Sequence, residues 1–470
     1  MTRPTRRSFL AGSAAIGAAL SLPSLVRADG FTELRAAPSK AQLVPPEYGA
    51  TDVWSYGGTA PGPEIRVKAG ERIRKRLVNG LPQNTAVHWH GIRIDNAMDG
   101  AAGLTQDPVE PGGTFDYDFV APDPGTYWYH SHDRSWEQMA RGLSGPLVVD
   151  DIEPWTGLEG TATREITMLL DDWLLRPDAQ IDTESFGNLR EWAHAGRIGN
   201  TFTVNGRMGA EFGVRAGERL RLRLINAANA RIMPLAIEGH RARIVALDGH
   251  PVAPRDGETV TLTPAQRADL VIDCTGNPGD RVPLLLDIGR GDLVPVATLV
   301  YSRERALPAA TGDVRPLPMS MVHDLDLANA QRETLTMEGG AMGNLTRARL
   351  GGVDREFEEL VAAKRVWAFN GVAGDLDEPA FRAKRGRTVH LTIRNDTGFP
   401  HGIHLHGHHF AVLSRNGVQD PNRDRRDTVL TKRNDVVEIA FEADNPGKWL
   451  MHCHMLEHRA AGMLSWFEVV

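Results

Sequence analysis

The chain reads as all-β, built from three related β-domains, and three observations predict this. First, one pattern occurs three times: Ile65–Asn79 is IRVKAGERIRKRLVN, Gly213–Asn226 is GVRAGERLRLRLIN and Phe381–Asn395 is FRAKRGRTVHLTIRN. In each copy a Gly precedes an Asn by nine residues, at Gly70/Asn79, Gly217/Asn226 and Gly386/Asn395. Second, apolar and charged residues alternate between them, as in Leu220, Leu222 and Leu224 against Arg219, Arg221 and Arg223. That is the two-residue period of a half-buried strand, with the Gly suited to the turn before it. Third, helix signals are sparse. The best is Arg355–Lys364, with Asp354 placed to cap it.

The elements follow in order along 470 residues, a length that accommodates about three domains. The N-terminus has a basic start (Arg3, Arg6, Arg7), a weakly apolar Ala/Gly/Leu stretch, and a small-residue cleavage pattern at Val26-Arg27-Ala28. Thr5-Arg6-Arg7-Ser8-Phe9-Leu10 resembles a twin-arginine export signal. Residues 1–28 are therefore expected to engage the twin-arginine export machinery and leave a periplasmic protein. No other stretch reaches the roughly 18 apolar residues of a membrane span. The domains are expected at residues 31–152, 160–305 and 318–470, with the Pro-containing Ala306–Pro318 as a connection. The net charge of 53 − 60 = −7, with no long run of one sign, argues against nucleic-acid binding.

The repeat also predicts where a metal belongs. Nine residues beyond the repeat Asn stand His88 in the first copy and His404 in the third, with His90 and His406 two further on. The same count in the middle copy reaches Leu235 and Ile237, so the middle domain reads as a spacer. Pro124-Gly125 precedes His130 by five residues, as Pro446-Gly447 precedes His452. Ten of the 17 histidines fall into four clusters: His88/His90, His130/His132, His401/His404/His406 and His452/His454/His458. Residues i and i+2 of a strand share a face, so each His-X-His presents two imidazoles together. Four such pairs supply eight nitrogen ligands of the kind that suits copper or zinc. His408 and His409 break the spacing.

Cys453, between His452 and His454, faces the other side of its strand. With His401, His458 and Met463 it makes the two-His, one-Cys, weak-Met set of a blue-copper site. The second cysteine, Cys274, lies far away with no such company and reads as an inert buried thiol.

The segments HWHG, HSH, HGIHLHGH and HCHMLEHRAAGM resemble the signatures of the multicopper oxidases, the family of laccases, ascorbate oxidase and bacterial cuprous oxidases. The resemblance covers nearly the whole chain after residue 28. It implies three cupredoxin-like Greek-key β-barrels and four copper ions. Type 1 copper would take His401, Cys453, His458 and Met463. In the trinuclear cluster, type 2 copper would take His88 and His404. The type 3 pair would take His90, His130 and His454, and His132, His406 and His452. Asp99, nine residues after His90, matches the family's acidic residue and would serve proton delivery. Bacterial relatives often carry Glu after the last type 1 histidine; here it is Arg459, which should make the field beside an exposed His458 edge more positive.

The activity implied is one-electron oxidation of a donor coupled to four-electron reduction of O2 to water. A laccase-like oxidase of phenols, acting as a monomer, is the first expectation. A periplasmic cuprous oxidase is the alternative, with Met319, Met321, Met337 and Met342 near His323 as candidate Cu(I) ligands. A copper-free structural relative is the remote one, because no ligand is missing.

Overall fold

A computed structural model describes residues 30–151, 154–156, 159–289, 291–318 and 324–470. The export signal at residues 1–28 lies outside the described residues, as do Met319, Met321 and His323.

The fold is all-β, and its three parts are built on one plan. Each of the three repeat segments becomes a strand: Arg72–Asn79, Arg219–Asn226 and Arg387–Asn395. Each pairs in parallel with an earlier strand, Thr32–Ala41, Arg164–Trp173 or Gln331–Gly339. Each pairs antiparallel with a later one, Thr114–Val120, Arg267–Asp273 or Val436–Ala443. The Asn that ends each copy is buried and does one job three times. Its amide donates to two carbonyls of the following loops, while its own oxygen accepts the N–H two residues on. The conserved spacing is thus a strand-to-loop lock, since a buried amide must have every polar atom matched. In two copies the Asn-Gly pairs Asn205-Gly206 and Asn370-Gly371 take positive φ and turn tight hairpins.

A second sheet in each part carries the positions that matter for chemistry. His88 lies directly across from His130, and His404 directly across from His452. The corresponding ladder position of the middle part pairs Leu235 with Leu286. One topology therefore carries imidazole pairs twice and an apolar pair once. The apolar cores follow the same division: the first and third parts share one continuous cluster, and the middle part has its own, which contains Cys274.

Two sequence expectations change. The helix falls at Phe357–Ala362, but Asp354 does not cap it, being in the strand Val353–Glu356 and paired with Arg347. Glu356 caps it instead, through a reciprocal box with Glu359. The charged face of Arg219–Asn226 is not solvated either. Arg221 and Arg223 are buried at the contact with the first part, where Asp269, Glu165 and Asp151 pair them and Arg223 donates to Thr126 Oγ. Alternation marked the strand correctly, but it cannot tell water from a neighbouring domain with matching charges.

Candidate metal centre

The His-X-His strands of the first and third parts face each other, and their imidazoles interleave. His88 stacks on His406 with ring centroids 3.9 Å apart, and His90 on His404 at 3.8 Å. Three all-histidine donor groups form, each with its ligand atoms within 4.8 Å of one another: His88/His90/His404, His90/His130/His454 and His132/His406/His452, with Asp99 joining His88 and His406 in a mixed one. A fourth, His401/Cys453/His458, forms on the opposite face of the Gly447–Cys453 strand. Met463 is fully buried next to it, its N–H donating to the His458 carbonyl at 2.9 Å.

The far nitrogen of each ring decides what the near one can do. His88 Nδ1–H donates to the Asp99 carbonyl at 2.7 Å, and His404 Nδ1–H to the Asp427 carbonyl at 2.9 Å. His90 Nε2–H donates to the Asp427 carboxylate at 3.1 Å, and His406 Nδ1–H to the Asp99 carboxylate at 2.9 Å. His130 and His452 donate Nδ1–H to the carbonyls of Ser131 and Cys453, both at 2.9 Å. A neutral ring so tied presents a lone pair at its other nitrogen. His88 Nε2, His90 Nδ1, His132 Nε2 and His404 Nε2 are buried with no hydrogen-bond partner among the described residues. His406 Nε2 and His452 Nε2 point at each other 3.1 Å apart, lone pair to lone pair. Such an array is satisfied by cations and by little else.

The Cys453 group repeats the argument. His458 Nε2–H donates to the His194 carbonyl at 2.6 Å and His401 Nε2 lies 2.8 Å from Thr397 Oγ, leaving the two Nδ1 atoms 3.0 Å apart. Cys453 Sγ is 3.6 and 3.7 Å from them. Metal–N and metal–S bonds of about 2.0 and 2.3 Å in a trigonal site put N and S about 3.7 Å apart, as here, and the two nitrogens about 3.5 Å apart, so the imidazoles would part by about 0.5 Å on binding. The group therefore fits a His2Cys centre. Burial holds His90, His130, His132, His401, His404, His406, His452, His454 and His458 below the usual imidazole range, so they are neutral, as ligation requires. Burial pushes the Cys453 thiol up to about 12, so only a metal would hold it as thiolate near neutral pH.

Asp99 is completely buried between His406 and His88. Its position depends on Gly100, where a Cβ would stand 1.8 Å from the Val87 carbonyl oxygen. His408 and His409 stay out of the groups: His409 Nε2–H donates to the Gly91 carbonyl, and His408 faces Asp444.

Two residues here are not evident in the sequence. Asp427 accepts from His90 and is paired with Arg267 of the middle part at 2.7 Å. Burial works against its charge, but Arg267 and the imidazoles of His90 and His404 hold it well below the usual carboxylate range. Arg267 also donates to the Thr126 carbonyl, and a Cβ on Gly91 would strike its guanidinium. The middle part lends no imidazole, yet it is more than a spacer: one of its arginines braces the others. No motif marks either residue; each acquires its role only when the parts dock.

Arg459 and His458 depart from expectation. His458 has no exposed edge; it is fully buried beneath the loop carrying His194. Arg459 points inward, with Nη2 3.4 Å from His132 Nδ1 and Nη1 donating to Ser135 Oγ. Alone among the cluster imidazoles tied at their far nitrogen, His132 faces a group that cannot accept a hydrogen bond. Of the candidate methionines among the described residues, Met337 is core and Met342 lies on the surface beside Gly398.

Next to His458, burial pushes Glu457 up from 4.5 to about 7, and Asn229 donates to it at 2.8 Å. The folded chain then holds a proton that the unfolded chain releases. This contribution is fully present below pH 4.5 and is lost as pH rises through 7, by up to about 3 kcal/mol. Glu457→Gln should therefore unfold at a higher temperature than the parent at pH 8 and at nearly the same temperature at pH 4.5. Equal differences at the two pH values would remove Glu457 as the cause.

Comparisons with known proteins agree with this geometry. Multicopper oxidase family profiles match residues 39–154, 164–281 and 352–470. The multicopper oxidase MmcO of Mycobacterium tuberculosis is 30% identical, covering 100% of this chain and 97% of its own length. Laccase-1 of Botryotinia fuckeliana is 29% identical over 88% of this chain and 78% of its own. The crystal structure of a multicopper oxidase from Pseudomonas thermotolerans superposes with a TM-score of 0.80 at 35% identity, covering 94% of this chain and 99% of that one. With three profile matches along its length and a full-length relative at this identity, the chain belongs to the multicopper oxidase family and is a copper-dependent oxidoreductase that couples oxidation of a donor to reduction of O2.

Proposed function

We propose that the chain binds four copper ions and acts as a laccase-like oxidase of phenols or similar donors, reducing O2 to water. His401, Cys453, His458 and Met463 would hold the type 1 ion. His88 and His404 would hold type 2; His90, His130 and His454, with His132, His406 and His452, would hold the type 3 pair. The observation that carries this reading is the set of buried, neutral imidazole lone pairs aimed at one another with no other partner. When bound, copper supplies one-electron acceptance at the first site and four-electron delivery to O2 at the second.

The chain's own residues do the rest. Cys453 is bonded through the backbone to His452 and His454, so one sequence step joins the two sites. Asp427 is neutralised by Arg267 and stays ionised, which suits holding His90 and His404 rather than giving protons. Among the described residues Asp99 pairs with His406 and His88 and with no Lys or Arg, which suits it to proton transfer. The domains are read as 31–152, 160–305 and 318–470. Each set of proposed ligands comes from one chain, which supports a monomer as the active unit. The Thr5–Leu10 motif supports twin-arginine export to the periplasm. The cuprous-oxidase reading has less support, since Met337 is used by the core.

Copper analysis with oxygen uptake tests the reading. Four ions per chain and one O2 consumed per four donor electrons are expected. Two ions or fewer, or peroxide as the product, would overturn it.

A further inference from the structure

Beside the helix Leu456–Ala460, which carries His458, lies a cleft of about 470 Å³. Its walls include Arg134, Trp136, Trp192, Lys364, Arg365 and Arg459. The two indoles stand edge to face, 5.2 Å apart, with Arg134 over Trp136 and Lys364 near the face of Trp192. Four cations converge here on a protein whose net charge is −7. Arg134 is paired with Glu137, but Lys364, Arg365 and Arg459 form no ion pair with a carboxylate among the described residues. Lys364 donates to the Gly187 carbonyl and Arg365 to the Ala460 carbonyl, while Arg459 donates to Ser135 Oγ and lies against His132. Burial depresses Arg365 below the usual guanidinium range, the sign of a cation taken from water without a counter-charge.

The cleft also connects to the Cys453 group. The Trp367 ring lies 4.5 Å from His458 and 5.1 Å from His401, and its indole N–H donates to the Trp192 carbonyl at 2.7 Å. From the cleft wall to a proposed type 1 ligand is one hydrogen bond and one ring contact. The Nε2 edge of His458 is closed off by His194, so this flank is the approach that the packing leaves.

We propose that this cleft binds the electron donor and selects an anionic aromatic: a phenol bearing a carboxylate or sulfonate, its ring against Trp136 and Trp192 and its anion between Lys364 and Arg365. The inference rests on the oxidase reading above and names its substrate class. The balance is 4 ArOH + O2 → 4 ArO• + 2 H2O, each donor losing one electron and its phenolic proton. A cationic donor such as Cu(I) is disfavoured by the same charges.

The test pairs binding with turnover on the copper-loaded protein. Under argon, calorimetry with redox-inert naphthalene-2-sulfonate should find one site, weakened about tenfold in Lys364→Glu and by added salt. The kcat/KM ratio of vanillate to its neutral methyl ester should fall about tenfold in the same variant. Arg303→Glu, an exposed charge reversal in the middle part, should change neither. Retained blue absorption checks that Lys364→Glu is folded; should it be lost, Lys364→Gln replaces it, with a smaller decrease expected. Sulfonate binding and a donor ratio indifferent to Lys364 would overturn the cleft while leaving the oxidase intact. Absence of O2 uptake with every donor would instead sink the oxidase reading.

Discussion

Cys453→Ser is expected to abolish the intense visible thiolate-to-copper absorption, lower the copper content by one ion per chain, and leave under about 1% of parental turnover. The sulfur supplies the thiolate that completes a 3.0–3.7 Å triangle with His401 and His458, and a serine hydroxyl is a poor substitute for it. Removing a residue that merely supports a metal ligand typically lowers affinity or activity about 10–100-fold, so loss of a direct ligand must exceed that. The eight imidazoles on the other side keep their hydrogen bonds, because Cys453 holds His452 through its carbonyl and not its side chain. Metal analysis and the visible spectrum read both outcomes together. Persistence of the blue band would remove Cys453 from the type 1 site.

Asp99→Asn should keep copper loading and colour but slow reoxidation of the reduced enzyme by O2 about 10²–10⁴-fold, the usual contribution of a positioned acid or base. An asparagine oxygen can still accept from His406 Nδ1, and the backbone carbonyl still holds His88, so the geometry survives. What disappears is a group able to gain and lose a proton. Stopped-flow mixing of the reduced enzyme with O2 reads the rate in parent and variant. A parental rate in the variant would exclude Asp99 from proton delivery.

Much of this molecule was legible in its sequence, for physical reasons. Strand period and repeat spacing are local, so the three-part plan and the apolar substitution at Leu235 could be read from one chain. His-X-His is equally local, since a strand puts i and i+2 on one face. What could not be read was set by docking. Arg267 and Asp427 are 160 residues apart and carry no signature; their pairing exists only because three parts meet. Arg459 looked like a surface charge because its neighbour His458 was expected at an edge, whereas the loop bearing His194 covers that edge and the guanidinium turns inward. Arg221 and Arg223 misled in the same way, their solvent being replaced by acidic partners.

The sharing of imidazoles between the first and third parts imposes an order on the protein's birth. Synthesis runs from the N-terminus, and domains generally fold as they emerge. His88, His90, His130 and His132 therefore lie on a finished first barrel while the strands bearing His404, His406, His452 and His454 are still unmade. Until then those four imidazoles form an open half-site that can bind stray metal ions but cannot hold a complete cluster. On the proposed ligand assignment the cluster is complete only after synthesis ends, so full metallation would report that the whole chain has been made and docked.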